Sequence, residues 1–395
     1  MPSSFRIRAW LSTGTLLGAG FLASVLACSD DGPDQPSPRQ LAQGQQTFRF
    51  DTYGDETFWT DTLRMHEVIS SSVSPATALS VGLKVDADAV PPGTLESADL
   101  NSPATTVALL KLNAVVGLKG TVETINGKDT LTKVGITCAL CHSTVNNSVQ
   151  AGIGQRLDGW PNLDLNVGAI VALSPALTGP QKAVYNSWGP GKYDARYNFD
   201  GQNDPAVIPP AYGLDGVNSV TFTGDGDRIE YWNRYVGVTQ MHGHGSFTEP
   251  RLNISVANPP DQIESKLPDL ESYQLSLTTP APPPGTFDAA AAARGQEVFN
   301  GQGQCATCHA GTTFTDANTR LHPTSEVPTD PTHAERSATG MYRTTPLRAL
   351  WQHAPYFHDG SAATLNDVVD RYDSAKNLQL TPAQKADLVE YLKSL

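Results

Sequence analysis

Two five-residue stretches carry the chemistry of this chain: Cys138-Ala-Leu-Cys141-His142 and Cys305-Ala-Thr-Cys308-His309. In each, two thiols are separated by two residues and followed at once by an imidazole. That spacing suits a porphyrin. Each thiol can form a thioether to one vinyl group, and the adjoining His is then held beneath the iron as its proximal ligand. Cys138, Cys141, His142, Cys305, Cys308 and His309 are therefore read as the attachment residues of two covalently bound haem c groups, with His142 and His309 on the irons. The competing use of two Cys pairs is a single four-thiolate zinc site. It leaves the His after each pair without a role, so the haem reading is preferred.

The bulk numbers agree with this. The sequence has 395 residues, a length that predicts two domains. It has five cysteines; the two motifs use four and Cys28 is the fifth, which leaves no pair for a structural disulfide. The formal net charge is −13 and no basic stripe is visible, which excludes a nucleic-acid partner. An acidic surface keeps a protein soluble and steers a basic redox partner, an electron donor or acceptor. The 34 glycines and 29 prolines point to long ordered loops wrapped around large cofactors.

The N-terminus reads as a processing signal. Arg6 and Arg8 precede an apolar, small-residue run from Trp10 to Ala27, and Val25-Leu-Ala-Cys28 resembles a lipobox. Residues 1–27 are expected to be a signal peptide. Cys28 is the expected lipidation site, and residues 28–45 a lipidated, Pro- and Asp-rich tether. This predicts an exported lipoprotein on the periplasmic face of a bacterial membrane, and Ser29 after the cysteine favours the outer membrane. Haem c is attached outside the bacterial cytoplasm, so the signal and the motifs support each other.

The elements that must position the motifs follow. The predicted fold class is mainly α with long loops and a few β-hairpins, arranged as two cytochrome c-like haem domains. The first, 46–279, is enlarged by insertions. A Pro-rich linker spans 280–285 and the second domain 286–395. In the first domain, 61–69 has helical spacing, with Met65 and His66 as possible ligands. Residues 78–85 read as a strand and 105–112 as a helix. Residues 121–125 and 130–134 read as a hairpin turning at Asn126-Gly127 and running into Cys138. Gln240-Met241-His242-Gly-His244 gathers two imidazoles and a thioether, so Met241, His242 and His244 are distal-ligand or distal-pocket candidates. Glu230 and Gln240 are weak acid/base candidates. Thr223-Gly-Asp-Gly-Asp227 is half of a calcium loop without the bidentate Glu, and is read as a plain turn.

In the second domain, 288–299 reads as an Ala-rich helix leading into the motif. Thr381-Pro-Ala-Gln384 reads as the cap of a helix reaching Leu395. A helix before the motif and another at the C-terminus, crossing, is the small cytochrome c plan. Spacing alone makes Met341 and His358 candidate distal ligands. Between the two helices lie Arg343-Thr-Thr-Pro-Leu-Arg348, Ala354-Pro-Tyr-Phe-His-Asp-Gly360 and Thr364-Leu-Asn-Asp-Val-Val369. This resembles the signature of the bacterial dihaem cytochrome c peroxidase family, including its MauG-type members. The resemblance covers the C-terminal domain, while 143–260 departs from the family pattern. It implies that 355–360 lie near the haem of this domain and that Tyr372 is that iron's distal ligand. It also implies a redox enzyme in which one haem, the first, activates peroxide and the other relays electrons. The alternatives are a pure electron-transfer lipoprotein and a dihaem oxygenase using dioxygen.

Overall fold

Ser37 opens the first helix, α1 (Pro38–Phe50). The Gln40 amide N–H donates to the Ser37 hydroxyl, and the Ser37 amide N–H donates to the Gln40 side-chain oxygen at 2.9 Å. Pro38 sits at the first helical position, where no N–H is needed. The expectation that 28–45 is a tether is thus corrected over 38–45: the Ser-Pro pair that read as disorder is a helix start. The computed structural model describes residues 35–395, so the signal segment 1–27 and Cys28 lie outside the described residues.

Helix α1 crosses a second helix, α3 (Leu267–Ser276), far along the chain. Gly44 lies on the backbone carbonyl of Asp269, and Phe48 packs against Tyr273 with ring centroids 5.7 Å apart. The small core at this crossing holds Phe48, Val116, Leu270, Tyr273 and Ala139, the residue that follows Cys138 in the upstream C-x-x-C-H motif.

The same construction recurs downstream. Helix α4 (Ala289–Asn300), capped by Asp288, crosses α6 (Pro382–Ser394), capped by the Thr381–Gln384 box. Gly295 lies on the carbonyl of Asp387, and Phe299 meets Tyr391 edge-on at 5.2 Å. Such aromatic pairs add about 0.5–1.5 kcal/mol beyond the area they bury. Cys305 and Ala306 pack against this core. Each motif is therefore docked on its own crossed helix pair.

Between α1 and α3 lies a long stretch of chain with its own large core around Leu110, Leu131, Val134 and Leu165. The hairpin β1 (Leu118–Ile125) and β2 (Lys128–Ile136) turns at Asn126 and Gly127, both at positive φ (52° and 77°), as the sequence required. Its exit is pinned: the Ile136 N–H donates to the Asp55 carboxylate at 3.2 Å, and the Thr137 hydroxyl donates to the Arg49 carbonyl at 3.1 Å. The first motif starts one residue later. Residues 78–85, expected as a strand, end the helix Pro75–Ser80 and then form a two-residue strand, Val85–Asp86. Pro75 at the helix start, capped by Ser74, outweighs the β-branched residues of the run. The expected helix over 61–69 begins instead at Met65, after a π-turn over Thr57–Thr62. The described residues are helix-rich, and their strands form only two-stranded sheets. No helix among them is long and apolar enough to cross a membrane.

Candidate functional site

The first motif opens on a cavity of about 480 Å³ with mostly apolar walls. His142 lies on it with Nδ1 3.1 Å from the Pro209 carbonyl oxygen. A carbonyl only accepts, so Nδ1 carries the proton and Nε2 keeps its lone pair. Burial pushes the His142 pKa down to about 4, so the ring is neutral. Burial pushes the Cys138 and Cys141 thiols up to about 12, an environment unlike that of a reactive thiolate. Two neutral thiols, a neutral imidazole with a fixed tautomer and an apolar chamber fit a covalently held haem.

Two further segments line this cavity. The π-turn Thr57–Thr62 projects Phe58 and Trp59. The Trp59 indole donates to the Met241 carbonyl at 3.1 Å. Phe58 stacks on His242 at 3.6 Å and 20°. His242 has a left-handed backbone (φ 64°), and burial alone shifts its pKa, down to about 4. Neither of its ring nitrogens has a hydrogen bond among the described residues. Gln240 lines the same cavity, accepting from the Tyr193 hydroxyl at 2.6 Å and donating to Asn198. These residues follow helix α2 (Ile229–Thr239), whose Trp232, Asn233 and Val236 also face the cavity.

The second motif opens on a cavity of about 400 Å³. His309 Nδ1 lies 3.1 Å from the Phe314 carbonyl oxygen, the same arrangement as at His142. Pro355, Tyr356, Phe357 and His358 line this cavity. Tyr372, on helix α5 (Leu365–Lys376), lines it too, its ring lying 6.1 Å from that of Phe357. The Tyr372 hydroxyl has no hydrogen-bond partner among the described residues.

The remaining candidates divide clearly. Met241 and Met65 are buried and line the first cavity. His244 turns away, its Nδ1 on the Pro259 carbonyl at 3.1 Å, and Glu230 and His66 line neither cavity. His358 is buried, but Nδ1 is 3.1 Å from the Thr329 hydroxyl and Nε2 is 3.4 Å from that of Tyr342. Met341 is 40% exposed on a two-residue strand outside the cavity. The two Cys pairs line different cavities, so they do not form one four-thiolate site. Asp225 accepts from Arg196 and Thr223, so within 223–227 its carboxylate is held by protein donors.

The cavities share a wall. The Val207–Pro210 segment, Leu214, Phe222 and Arg343 line both. His333 on the first cavity stacks on His358 of the second at 5.0 Å. Sequence reasoning did not single out Tyr193 or His333, and quoted Arg343 only as the first residue of the signature stretch 343–348. No local spacing marks Tyr193 or His333, because only tertiary packing brings them to the site.

Residues 292–395 match the cytochrome c family. Curated relatives include the methylamine utilization protein MauG of Methylorubrum extorquens, 30% identical over 26% of this chain and 34% of its own length. The cytochrome-c peroxidase IdrP1 of Denitromonas iodatirespirans is 28% identical over 27% of this chain and 40% of its own length. The chain thus matches well under half the length of these relatives. Among solved structures, a MauG-like protein associated with microbial copper homeostasis is 20% identical, covers 48% of this chain and 73% of its own, and has a TM-score of 0.33. Hydrazine synthase of Kuenenia stuttgartiensis also has a TM-score of 0.33 at 20% identity, over 49% of this chain and 73% of its own. Residues 292–395 form a cytochrome c domain, similar to those of MauG and of cytochrome c peroxidases, and the cofactor of such a domain is a covalently held haem c.

Proposed function

We propose that the chain is an exported dihaem c-type redox enzyme of the cytochrome c peroxidase/MauG kind. Cys138, Cys141 and His142 hold one haem; Cys305, Cys308 and His309 hold the other. The observation that carries this reading is the duplicated arrangement, in which each motif sits on a crossed helix pair with its His Nδ1 tied to a backbone carbonyl. The haems supply one-electron chemistry and, where an iron keeps an open position, a place for peroxide.

The chain's own residues divide that work. Pro209 and Phe314 fix the tautomer and orientation of the two proximal rings. The apolar first cavity keeps bulk water from the reacting site. His242, neutral and free of hydrogen bonds, takes a proton from peroxide and returns it to the leaving oxygen. Tyr372 closes the second site, which leaves that haem to relay electrons. The apolar run before Cys28 and its lipobox-like ending support a place on the periplasmic face of a membrane, the outer membrane favoured. There the acidic surface steers a basic redox protein to it. Relatives named as cytochrome-c peroxidases support peroxide as the substrate.

The second reading is a pure electron carrier, and the free ring nitrogens of His242 favour it, because they could also bind the first iron. Haem counting by the pyridine haemochrome, EPR of the oxidised protein and stopped-flow addition of peroxide separate the two. One high-spin haem that reacts with peroxide supports the enzyme. Two low-spin, six-coordinate haems inert to peroxide overturn it.

A further inference from the structure

Arg343 lies in the wall that both cavities share, with its Nε buried. Its backbone N–H donates to the Phe222 carbonyl at 3.0 Å, which fixes the chain there. Of its five side-chain N–H directions, one has an identified acceptor: Nη1 donates to the Ser219 carbonyl at 2.6 Å. Nε is buried with no partner. No carboxylate among the described residues pairs with it, and desolvation alone pulls its pKa down to about 10. A guanidinium taken out of water without a counter-charge is strongly destabilising unless an anion arrives to pair with it.

Two other arginines on the cavities differ. Arg196 lines the first cavity but is already paired with Asp225. Arg348 lines only the second and is half-buried. Arg343 alone combines an uncompensated charge with a place on both cavities. Its planar fork suits carboxylates, and each haem c carries two as propionates. We infer that Arg343 is a shared carboxylate clamp, its guanidinium taking a propionate from each of the two haems across the wall between them.

The inference rests on the two-haem reading, and the test keeps the two apart. The holoprotein and an Arg343→Gln variant are first counted for haem, then titrated by spectroelectrochemistry so that each haem is followed separately. Removing a buried positive charge favours the oxidised, more positive iron. Both midpoint potentials are therefore expected to fall in Arg343→Gln, and Arg343→Lys to restore most of both shifts. A fall at one haem only, or at neither, overturns the shared clamp while leaving the two-haem reading intact. One haem per chain overturns the two-haem reading instead. If Arg343→Gln does not fold, the unaltered protein answers the question. With both propionates held ionised by the buried cation, the two midpoints stay level across neutral pH, and a pH slope at both haems there overturns the clamp.

Discussion

Gly44 lies so close to the backbone carbonyl of Asp269 that a Cβ at residue 44 would overlap it, and Gly295 stands in the same relation to Asp387. Around these contacts the sequence repeats. Ala42-Gln-Gly-Gln-Gln-Thr-Phe48 parallels Ala293-Arg-Gly-Gln-Glu-Val-Phe299. Asp269-Leu-Glu-Ser-Tyr-Gln-Leu-Ser-Leu277 parallels Asp387-Leu-Val-Glu-Tyr-Leu-Lys-Ser-Leu395. The glycine lets two helix backbones meet, and the Phe–Tyr pair one turn on locks them. Alanine at residue 44 should gain about 1 kcal/mol of helix propensity. The overlap should cost more, about 1–3 kcal/mol of strain. Gly44→Ala and Gly295→Ala are thus expected to lower thermal stability, each weakening the haem site of its own half first. Unfolding followed separately at the two haem bands checks this. A stabilised Gly44→Ala would show that the contact is not tight.

This repeat is present in the sequence but hidden by the distances along the chain. The second half keeps Phe299 six residues before Cys305, so its helix and motif read as one unit. In the first half ninety residues separate Phe48 from Cys138, and the crossing partner of α1 begins at Leu267. Local periodicity cannot connect elements that far apart, and the Ser-Pro at 37–38 looked like tether composition. The motif residues, the Asn126-Gly127 turn and the Thr381 cap were readable because each depends on a few neighbouring residues. His333 was not, since only tertiary contact brings it to the cavity, and Arg343 was readable only as the first residue of the 343–348 signature. His242 was readable as a candidate only; the stacking on Phe58 that positions it needs the fold.

Replacing His242 tests its assignment as the proton-transferring group. Such groups contribute about 100- to 10,000-fold to a rate. His242→Ala is expected to slow the reaction with peroxide by that range while leaving the EPR signals of both oxidised haems in place. Conversion of a low-spin signal to high-spin, with faster peroxide binding, would instead make His242 an iron ligand and favour the electron carrier.

Asp55 gives the stability of the protein a pH dependence. The side chain is buried under the hairpin exit, and desolvation outweighs its hydrogen bond from Ile136, raising its pKa to about 9. An unfolded aspartate titrates near ~3.9. The folded chain therefore holds a proton that the unfolded chain has lost, and unfolding releases it. Stability should decline as pH rises between about 4 and about 9, and level off above that. Asp55→Asn keeps an acceptor for Ile136 without the charge, and should flatten the decline. Chemical denaturation of the holoprotein at several pH values, with and without the substitution, reads the slope. Equal slopes in the two proteins would assign the dependence to other groups.

Tyr372 is the residue on which the difference between the two motif cavities turns. Its counterpart by local sequence in the first half is Tyr235, since Asn233-Arg-Tyr235 on α2 parallels Asp370-Arg-Tyr372 on α5. Yet the Tyr235 hydroxyl donates to the Ala195 carbonyl within a core, whereas that of Tyr372 is unpartnered on the second cavity. The counterpart helices thus present a tyrosine oxygen to the second cavity and withhold one from the first. Tyr372→Phe removes that oxygen with little change in volume. The second haem should then lose its sixth partner, and its EPR signal should change spin state, while the first haem is unaffected. Electron transfer to the first site should slow, because the relaying haem now reorganises its coordination. Spectra of both haems left unaltered would remove the ligand assignment and return the second site to His358, the remaining candidate there that lines the cavity.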